Sequence, residues 1–193
     1  MSLSDKIINK AVATIKAGGV VVFPTETAYG LAADATNAKA VAKVFVIKGR
    51  TKEKSFPLIV VDLKMAEKYA VFSPAIKKLV KKYWPGALTV VVSLRHGVKL
   101  PSGVVQKGTI AVRASSHTIA RTLSRRLGRP IVSTSANLSG RPTCYSARAV
   151  KKQLGDRPDD YLDAGRLPHR RPSTIITEKD GKIIVLREGS IKI

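Results

Sequence analysis

The sequence predicts a single α/β domain built on a mixed β-sheet flanked by helices, and three observations carry that prediction. Segments with helical spacing of apolar residues alternate with short apolar runs through the first half of the chain. Later, two apolar runs are joined by Asp180-Gly181, a two-residue hairpin signal, so adjacent antiparallel strands join a sheet whose earlier strands are separated by helices. The 193 residues are 44% hydrophobic, which suits one compact core and leaves little for a second, so residues 1–193 read as one domain.

In chain order, Ser4 is placed to cap a helix whose apolar residues Ile7, Ile8, Ala11, Val12 and Ile15 share one face, and Gly18-Gly19 ends it. Val20 to Phe23 is a strand, and "PTETAYG" after it reads as a loop that must hold something polar. Asn37 to Lys48 has helical spacing through Val41, Val44, Phe45 and Ile47. The charged loop "KGRTKEKS" then leads into an apolar strand at Pro57 to Val61. Helices follow near Asp62 to Ala70 and at Pro74 to Tyr83. "WPGALTVVVSL" is a turn entering a strong strand, Thr109 to Arg113 is another, and Thr118 to Leu127 is a helix stopped by Gly128 and Pro130. Ile131 to Ser133 is a short strand running into the small polar loop "TSANLSG". A helix from Ser146 to Leu154, an irregular Pro/Arg-rich loop and the hairpin "STIITEKDGKIIVLRE" complete the pattern, with no internal repeat or low-complexity linker.

Charge narrows the function. Lys plus Arg number 35 against 13 Asp plus Glu, a formal charge of +22, and the basic residues occur all along the sequence. Phosphate backbones are the commonest partner of such a surface, with binding that weakens steeply as salt is added. At 5% aromatic residues, recognition by base stacking is disfavoured against recognition of phosphates and shape. The single cysteine, Cys144, excludes an internal disulfide and a multi-cysteine zinc site, and suggests a reducing compartment. No apolar run approaches the ~20 residues of a membrane span, and the N-terminal segment reads as an amphipathic helix and not as a secretion signal. The expected location is cytoplasmic, with no membrane partner. His96, His117 and His169 lack metal-ligand spacing, so no protein-held metal is expected, and neither G-x-x-x-x-G-K-[ST], G-x-G-x-x-G nor G-x-S-x-G occurs.

What remains is a set of polar loops at strand ends, where α/β sheets bind ligands. Lys48 and Arg50, two apart past a helix, can converge on one anion if their loop is extended. Ser135 and Asn137 offer a hydroxyl and an amide in a tight turn suited to phosphate oxygens or a ribose. Arg113 ends the apolar run "TIAV", where an arginine is costly unless it meets a carboxylate or a phosphate. A structural ion pair with one of the few acids is the competing account of Arg113.

In order and approximate spacing, "FPTETAYGLAADA", "KGR" followed by "PLIV", "WPGALT", "GTIAVR", "STSANLSGRP" and "STII" resemble the YrdC-like family, the threonylcarbamoyl-AMP synthases, from about Val20 to Arg187. The resemblance implies a twisted mixed sheet with a basic concave face and no P-loop. It implies synthesis of L-threonylcarbamoyladenylate and pyrophosphate from L-threonine, bicarbonate and ATP, for modification of the adenosine beside the anticodon of certain tRNAs. By the same resemblance Thr27, Arg113 and Ser133 contact the threonine, with Arg113 on its carboxylate. Lys48, Arg50, Ser135 and Asn137 grip the ATP phosphates and form the catalytic set, while Thr109, Thr143 and Arg187 are further nucleotide contacts. Mg²⁺ is expected to enter with ATP, and no residue stands out as an obligatory base. Implied partners are tRNA or another structured RNA on the basic face and a threonylcarbamoyl-transferase machinery.

Two departures stand out. "KGR" is followed by Thr51 and the longer "TKEKSF", and the position after "PLIV", often a histidine touching threonine in the family, is Val61. With Ile193 soon after the hairpin, the additional C-terminal domain carried by longer relatives is expected to be missing. From the charge and these departures, the alternative function is a non-catalytic RNA-binding protein of the same fold acting on tRNA or rRNA maturation.

Overall fold

The computed structural model describes residues 4–51 and 55–193, so residues 52–54 of the charged loop lie outside the description. Helix α1 (Asp5–Lys16) starts at Ser4, which takes the extended cap backbone but makes no side-chain capping bond. Its buried stripe is Ile8, Ala11, Val12 and Ile15, while Ile7 falls outside it at 42% exposure. Strand β1 (Val21–Pro24) follows, and the chain turns through residues 25–28 into β2 (Tyr29–Ala32), pairing antiparallel from Val21↔Ala32 to Pro24↔Tyr29. The loop expected at "PTETAYG" is therefore only its middle, residues 25–28. "YGLA" is a strand whose four residues are all buried, because two short apolar runs flanking a tight polar turn can satisfy each other's backbone groups.

Helix α2 (Ala38–Lys48) is capped by Asn37, whose Oδ1 accepts from the amides of Lys39 at 3.0 Å and Ala40 at 3.2 Å. Strand β3 (Leu58–Val60) leads into α3 (Leu63–Ala66), shorter than the helical spacing predicts because the chain leaves the helix to bridge Ala70 with Leu94. Helix α4 (Pro74–Tyr83) has proline in its first turn, with Ser73 Oγ accepting the Ile76 amide at 3.2 Å. The remaining elements are β4 (Leu88–Ser93), β5 (Thr109–Ala114), α5 (Thr118–Leu127), β6 (Ile131–Val132), β7 (Thr134–Ser135), α6 (Ala147–Leu154), β8 (Asp160–Tyr161), β9 (Thr174–Lys179) and β10 (Lys182–Arg187). The hairpin turn is as expected, with Asp180 at φ 52° and Gly181 at φ 72°. Strand β8 falls in the stretch that reads as irregular loop, since two residues carry no periodicity.

The mixed α/β character holds, but the strands divide into two ladders where one sheet was expected. One has the order β7-β2-β1-β8 and the other β10-β9-β4-β5-β3-β6. Both are mixed: β1 runs parallel to β8, β3 to β5 and β4 to β9, and the other pairs are antiparallel. Between β6, paired with β3, and β7, paired with β2, stands one residue, Ser133, so the chain crosses from one sheet to the other there. A further bridge, Asp34↔Ile131, ties the sheets nearby. One core includes Phe45, Phe56, Leu88 and Ile110; a second, of Ile15, Phe23, Ile59, Leu123 and Ile131, is closed by α1 and α5. Among the described residues no helix is long and apolar enough to cross a membrane.

Candidate active site

A cavity of about 820 Å³ opens where the two sheets meet. Its wall takes Thr25 and Thr27 from the β1–β2 turn, Arg113 from β5, Ser133 and Ser135 from the crossing, and Arg187 from β10. Of the ten residues singled out from sequence, Thr27, Arg50, Arg113, Ser133, Ser135, Thr143 and Arg187 lie on this wall.

The turn is held from within. Buried Thr25 donates from Oγ1 to the carbonyl of Ala28 at 2.7 Å and accepts the amides of Thr27 and Ala28, each at 3.2 Å. That closes the backbone around one hydroxyl and leaves Thr27, whose Oγ1 is 3.0 Å from that of Thr25, on the cavity side. Glu26 lies outside the lining and pairs with Arg113, Nη1 donating to Oε1 at 2.8 Å with both side chains 8% exposed. Arg113 thus meets a carboxylate and lines the cavity at once. Burial lowers its pKa, and the Glu26 charge opposes that shift.

Lys48 and Arg50 separate instead of converging. Gly49 between them takes a left-handed φ of 57°, which turns the chain so that Lys48 points into the protein and Arg50 reaches the cavity. Lys48 is 3% exposed, and its Nζ donates to the carbonyls of Ser135 at 2.6 Å and Asn137 at 2.9 Å. Burial, with Arg50 nearby, lowers its pKa to about 8. Arg50 lies over the Phe56 ring, 5.2 Å from its centre.

Asn137 and Thr109 are also off the wall. Asn137 Nδ2 donates to the carbonyls of Leu138 at 3.0 Å and Arg141 at 2.6 Å, and Thr109 Oγ1 donates to the carbonyl of Gln106 at 2.8 Å. In this structure Lys48, Asn137 and Thr109 therefore shape the loops that carry Ser135 and Gln106 to the cavity. Val61 follows β3 at the end away from Ser55, Pro57 and Leu58, the lining residues of that segment.

Arg187 is fixed on the opposite wall. Its Nε and Nη2 donate to the carbonyl of Ser173 at 3.1 and 2.7 Å, and Ser173 Oγ lies 2.9 Å from Thr89 Oγ1. Sequence reading missed Glu26, Tyr145, Arg170 and Ser173. Arg170 and Tyr145 also line the cavity, with Tyr145 stacked on His169 at 3.8 Å between ring centres. A glutamate in a chain with few acids was the legible signal for Glu26; the others sit in loops without periodicity.

Four arginines thus face a cavity whose described lining holds no aspartate or glutamate. Such a wall favours a polyanion, and the hydroxyls of Thr27, Ser133, Ser135 and Thr143 add hydrogen bonds that fix its orientation. Among the described residues no cluster of three or more His, Cys, Asp or Glu could hold a metal.

A family model described as "Telomere recombination", covering Sua5, YciO and YrdC, matches residues 13–189. A threonylcarbamoyl-AMP synthase of Bacillus subtilis (strain 168) is 35% identical over 192 residues, covering 99% of this chain and 56% of its own length. A putative threonylcarbamoyl-AMP synthase of Methanocaldococcus jannaschii is 37% identical over 176 residues, covering 91% and 82%. Of solved structures, P. abyssi Sua5 complexed with L-threonine matches with a TM-score of 0.89 at 32% identity, over 98% of this chain and 56% of that one. E. coli YciO matches with a TM-score of 0.86 at 29% identity, over 97% and 91%. The chain therefore spans little more than half the length of the B. subtilis and P. abyssi proteins.

Proposed function

The chain belongs to the Sua5/YciO/YrdC family, and on that premise we propose that it is a threonylcarbamoyl-AMP synthase, a nucleotidyltransferase that makes L-threonylcarbamoyladenylate and pyrophosphate from L-threonine, bicarbonate and ATP. The observation that carries this is one cavity that joins an arginine-rich, carboxylate-free wall to the hydroxyl-bearing turn after β1.

In this reading Arg113 receives the threonine carboxylate, with Thr27 and Ser133 beside it. Arg50, Arg187 and the loop bearing Ser135 and Thr143 take the nucleotide. The neutral threonine amine adds to CO2 with loss of a proton to solvent, or to bicarbonate with loss of water, to form a carbamate, and a carbamate oxygen attacks the α-phosphorus as the β,γ-pyrophosphate leaves. The arginines stabilise the charge that grows on the leaving pyrophosphate, the main service a protein gives such a transfer. Mg²⁺ would enter with the nucleotide and would supply charge neutralisation to its phosphates beside Arg50 and Arg187. The product then passes to a threonylcarbamoyl-transferase machinery for tRNA modification, in the cytoplasm. The names of the relatives favour this reading over a non-catalytic RNA-binding protein.

The test is pyrophosphate release by the purified protein with Mg-ATP and bicarbonate, comparing L-threonine with L-serine. Release that requires threonine supports the synthase. A protein that binds ATP yet releases no pyrophosphate with all three substrates present is not one.

A further inference from the structure

Glu26 lies outside the cavity lining, paired with the lining residue Arg113, and has no part in the chemistry just described. Its Oε1 accepts from Arg113 Nη1 at 2.8 Å, and its Oε2 accepts a short hydrogen bond from Ser115 Oγ. Ser115 is fully buried, and its Oγ accepts the amide of His117, the N-cap residue of α5, at 3.1 Å. The carboxylate is therefore clamped at both oxygens, and a helix start holds the clamp. Arg113 makes no hydrogen bond from Nε or Nη2 to any described residue, and it lines the cavity. Among the described residues it is the lining arginine that forms an ion pair; Arg50, Arg170 and Arg187 form none.

This arrangement bears on a sorting problem. One cavity must hold a zwitterionic amino acid and a polyphosphate, and an unpaired arginine attracts the polyphosphate more strongly because the attraction scales with charge. A guanidinium already paired with a carboxylate keeps its remaining directional donors, while the pair as a whole carries little net charge. It still suits a single carboxylate that can bond two of its nitrogens, and it gives up its advantage for phosphate.

We propose that Glu26 is a positioning and charge-sorting residue: it grips Arg113 by one nitrogen, presents the remaining edge to the carboxylate of the amino-acid substrate, and cancels enough positive charge there that phosphate settles on Arg50, Arg170 and Arg187. The amino-acid part rests on the synthase reading; the charge-sorting part does not.

The experiment is calorimetry with two probes, L-threonine and inorganic pyrophosphate, at low salt, on the wild type and on Glu26→Gln, Glu26→Asp and Ser115→Ala. Loss of a charge-assisted contact corresponds to about tenfold or more in affinity. Glu26→Gln is expected to weaken threonine by that factor and to tighten pyrophosphate about threefold or more, since the charge of Arg113 is no longer offset by a carboxylate. Glu26→Asp keeps the charge and shifts the grip, so threonine weakens while pyrophosphate stays unchanged. Ser115→Ala gives the same pattern at smaller size.

Equal weakening of both probes in Glu26→Gln, in step with a lower melting temperature, would make Glu26 merely structural and overturn the proposal, as would no change in either. If Glu26→Gln does not fold, the threonine-against-pyrophosphate split in Glu26→Asp and Ser115→Ala decides, and its absence overturns the proposal. If the wild type binds no threonine, the synthase reading fails on its own. The pyrophosphate arm then decides: tighter binding by Glu26→Gln upholds charge sorting, and unchanged binding removes it.

Discussion

The Lys48 ammonium donates to the backbone carbonyl of Ser135 at 2.6 Å, joining the end of α2 to a loop 87 residues away in sequence. A second bond to the Asn137 carbonyl at 2.9 Å makes this lysine the tether of the loop that brings Ser135 to the cavity. Lys48→Met fills similar volume and leaves two carbonyls without their donor. The expected stability loss is about 1–3 kcal/mol in urea denaturation, partly offset by removal of a buried charge. ATP-dependent pyrophosphate release should fall about tenfold or more, because the rate of transfer depends on ångström-scale placement of phosphate contacts. A variant with normal turnover would mean the loop holds its shape without the tether.

The same lysine sets a pH dependence. Its pKa is lowered to about 8, first by burial and then by Arg50, so near that pH a substantial fraction is neutral. A polyanion bound in the cavity that Ser135 lines favours the charged form and raises the pKa, so nucleotide binding takes up protons and weakens as pH rises through about 8. Calorimetry at pH 8 in buffers of different ionisation enthalpy should reveal the uptake, and Lys48→Met should abolish it.

Arg50 and Arg113 should separate kinetically. Arg50→Ala removes a cavity cation with no described carboxylate partner and is expected to raise KM for ATP about tenfold or more while moving that for threonine less. Arg113→Ala should show the opposite ranking in steady-state kinetics with each substrate varied in turn. Reversal of the two would mean that amino acid and nucleotide bind at exchanged ends.

Lys151 and Lys152, at the C-terminal end of α6, lie outside the lining of the cavity. Lys151→Ala and Lys152→Ala should leave adenylate formation within about twofold of wild type, as expected for solvated charges. Any weakening of RNA binding in the same variants, measured by filter retention at two salt concentrations, would assign α6 to the nucleic-acid face.

Asn37→Ala removes the acceptor for the Lys39 and Ala40 amides at the start of α2. The expected loss is about 1 kcal/mol, or a melting temperature lower by about 2–4 °C, with kinetic constants unchanged.

The fold was legible where a single residue type forces a local outcome. Asn37 and Ser146 cap the helices they were expected to open, Ser4 begins α1 without a side-chain bond, and Asp180-Gly181 makes the hairpin turn. The division into two sheets was not legible, because it depends on one residue, Ser133, at a change of pairing partner, and nothing local marks that. The apolar spacing of Asp62 to Ala70 suggested more helix than forms, since the Ala70 bridge to Leu94 is a nonlocal competitor. At the site, the quoted motifs brought seven residues to one cavity. They did not reveal that Lys48, Asn137 and Thr109 hold backbone carbonyls, because sequence gives residue types in a loop and not the left-handed Gly49 that turns Lys48 inward.

Arg187 closes the cavity from β10, and it is fixed there by Ser173, just before β9 docks in parallel on β4. Thr25 and Thr27 on the facing wall belong to the first strand pair. On the ribosome these walls emerge at nearly opposite ends of synthesis. A nascent chain exposed through Leu162 already contains every residue of the α1–α5 core, yet its cavity lacks one side. Such a chain can bury apolar surface early, while the cavity gains its second wall only when the closing hairpin has left the exit tunnel.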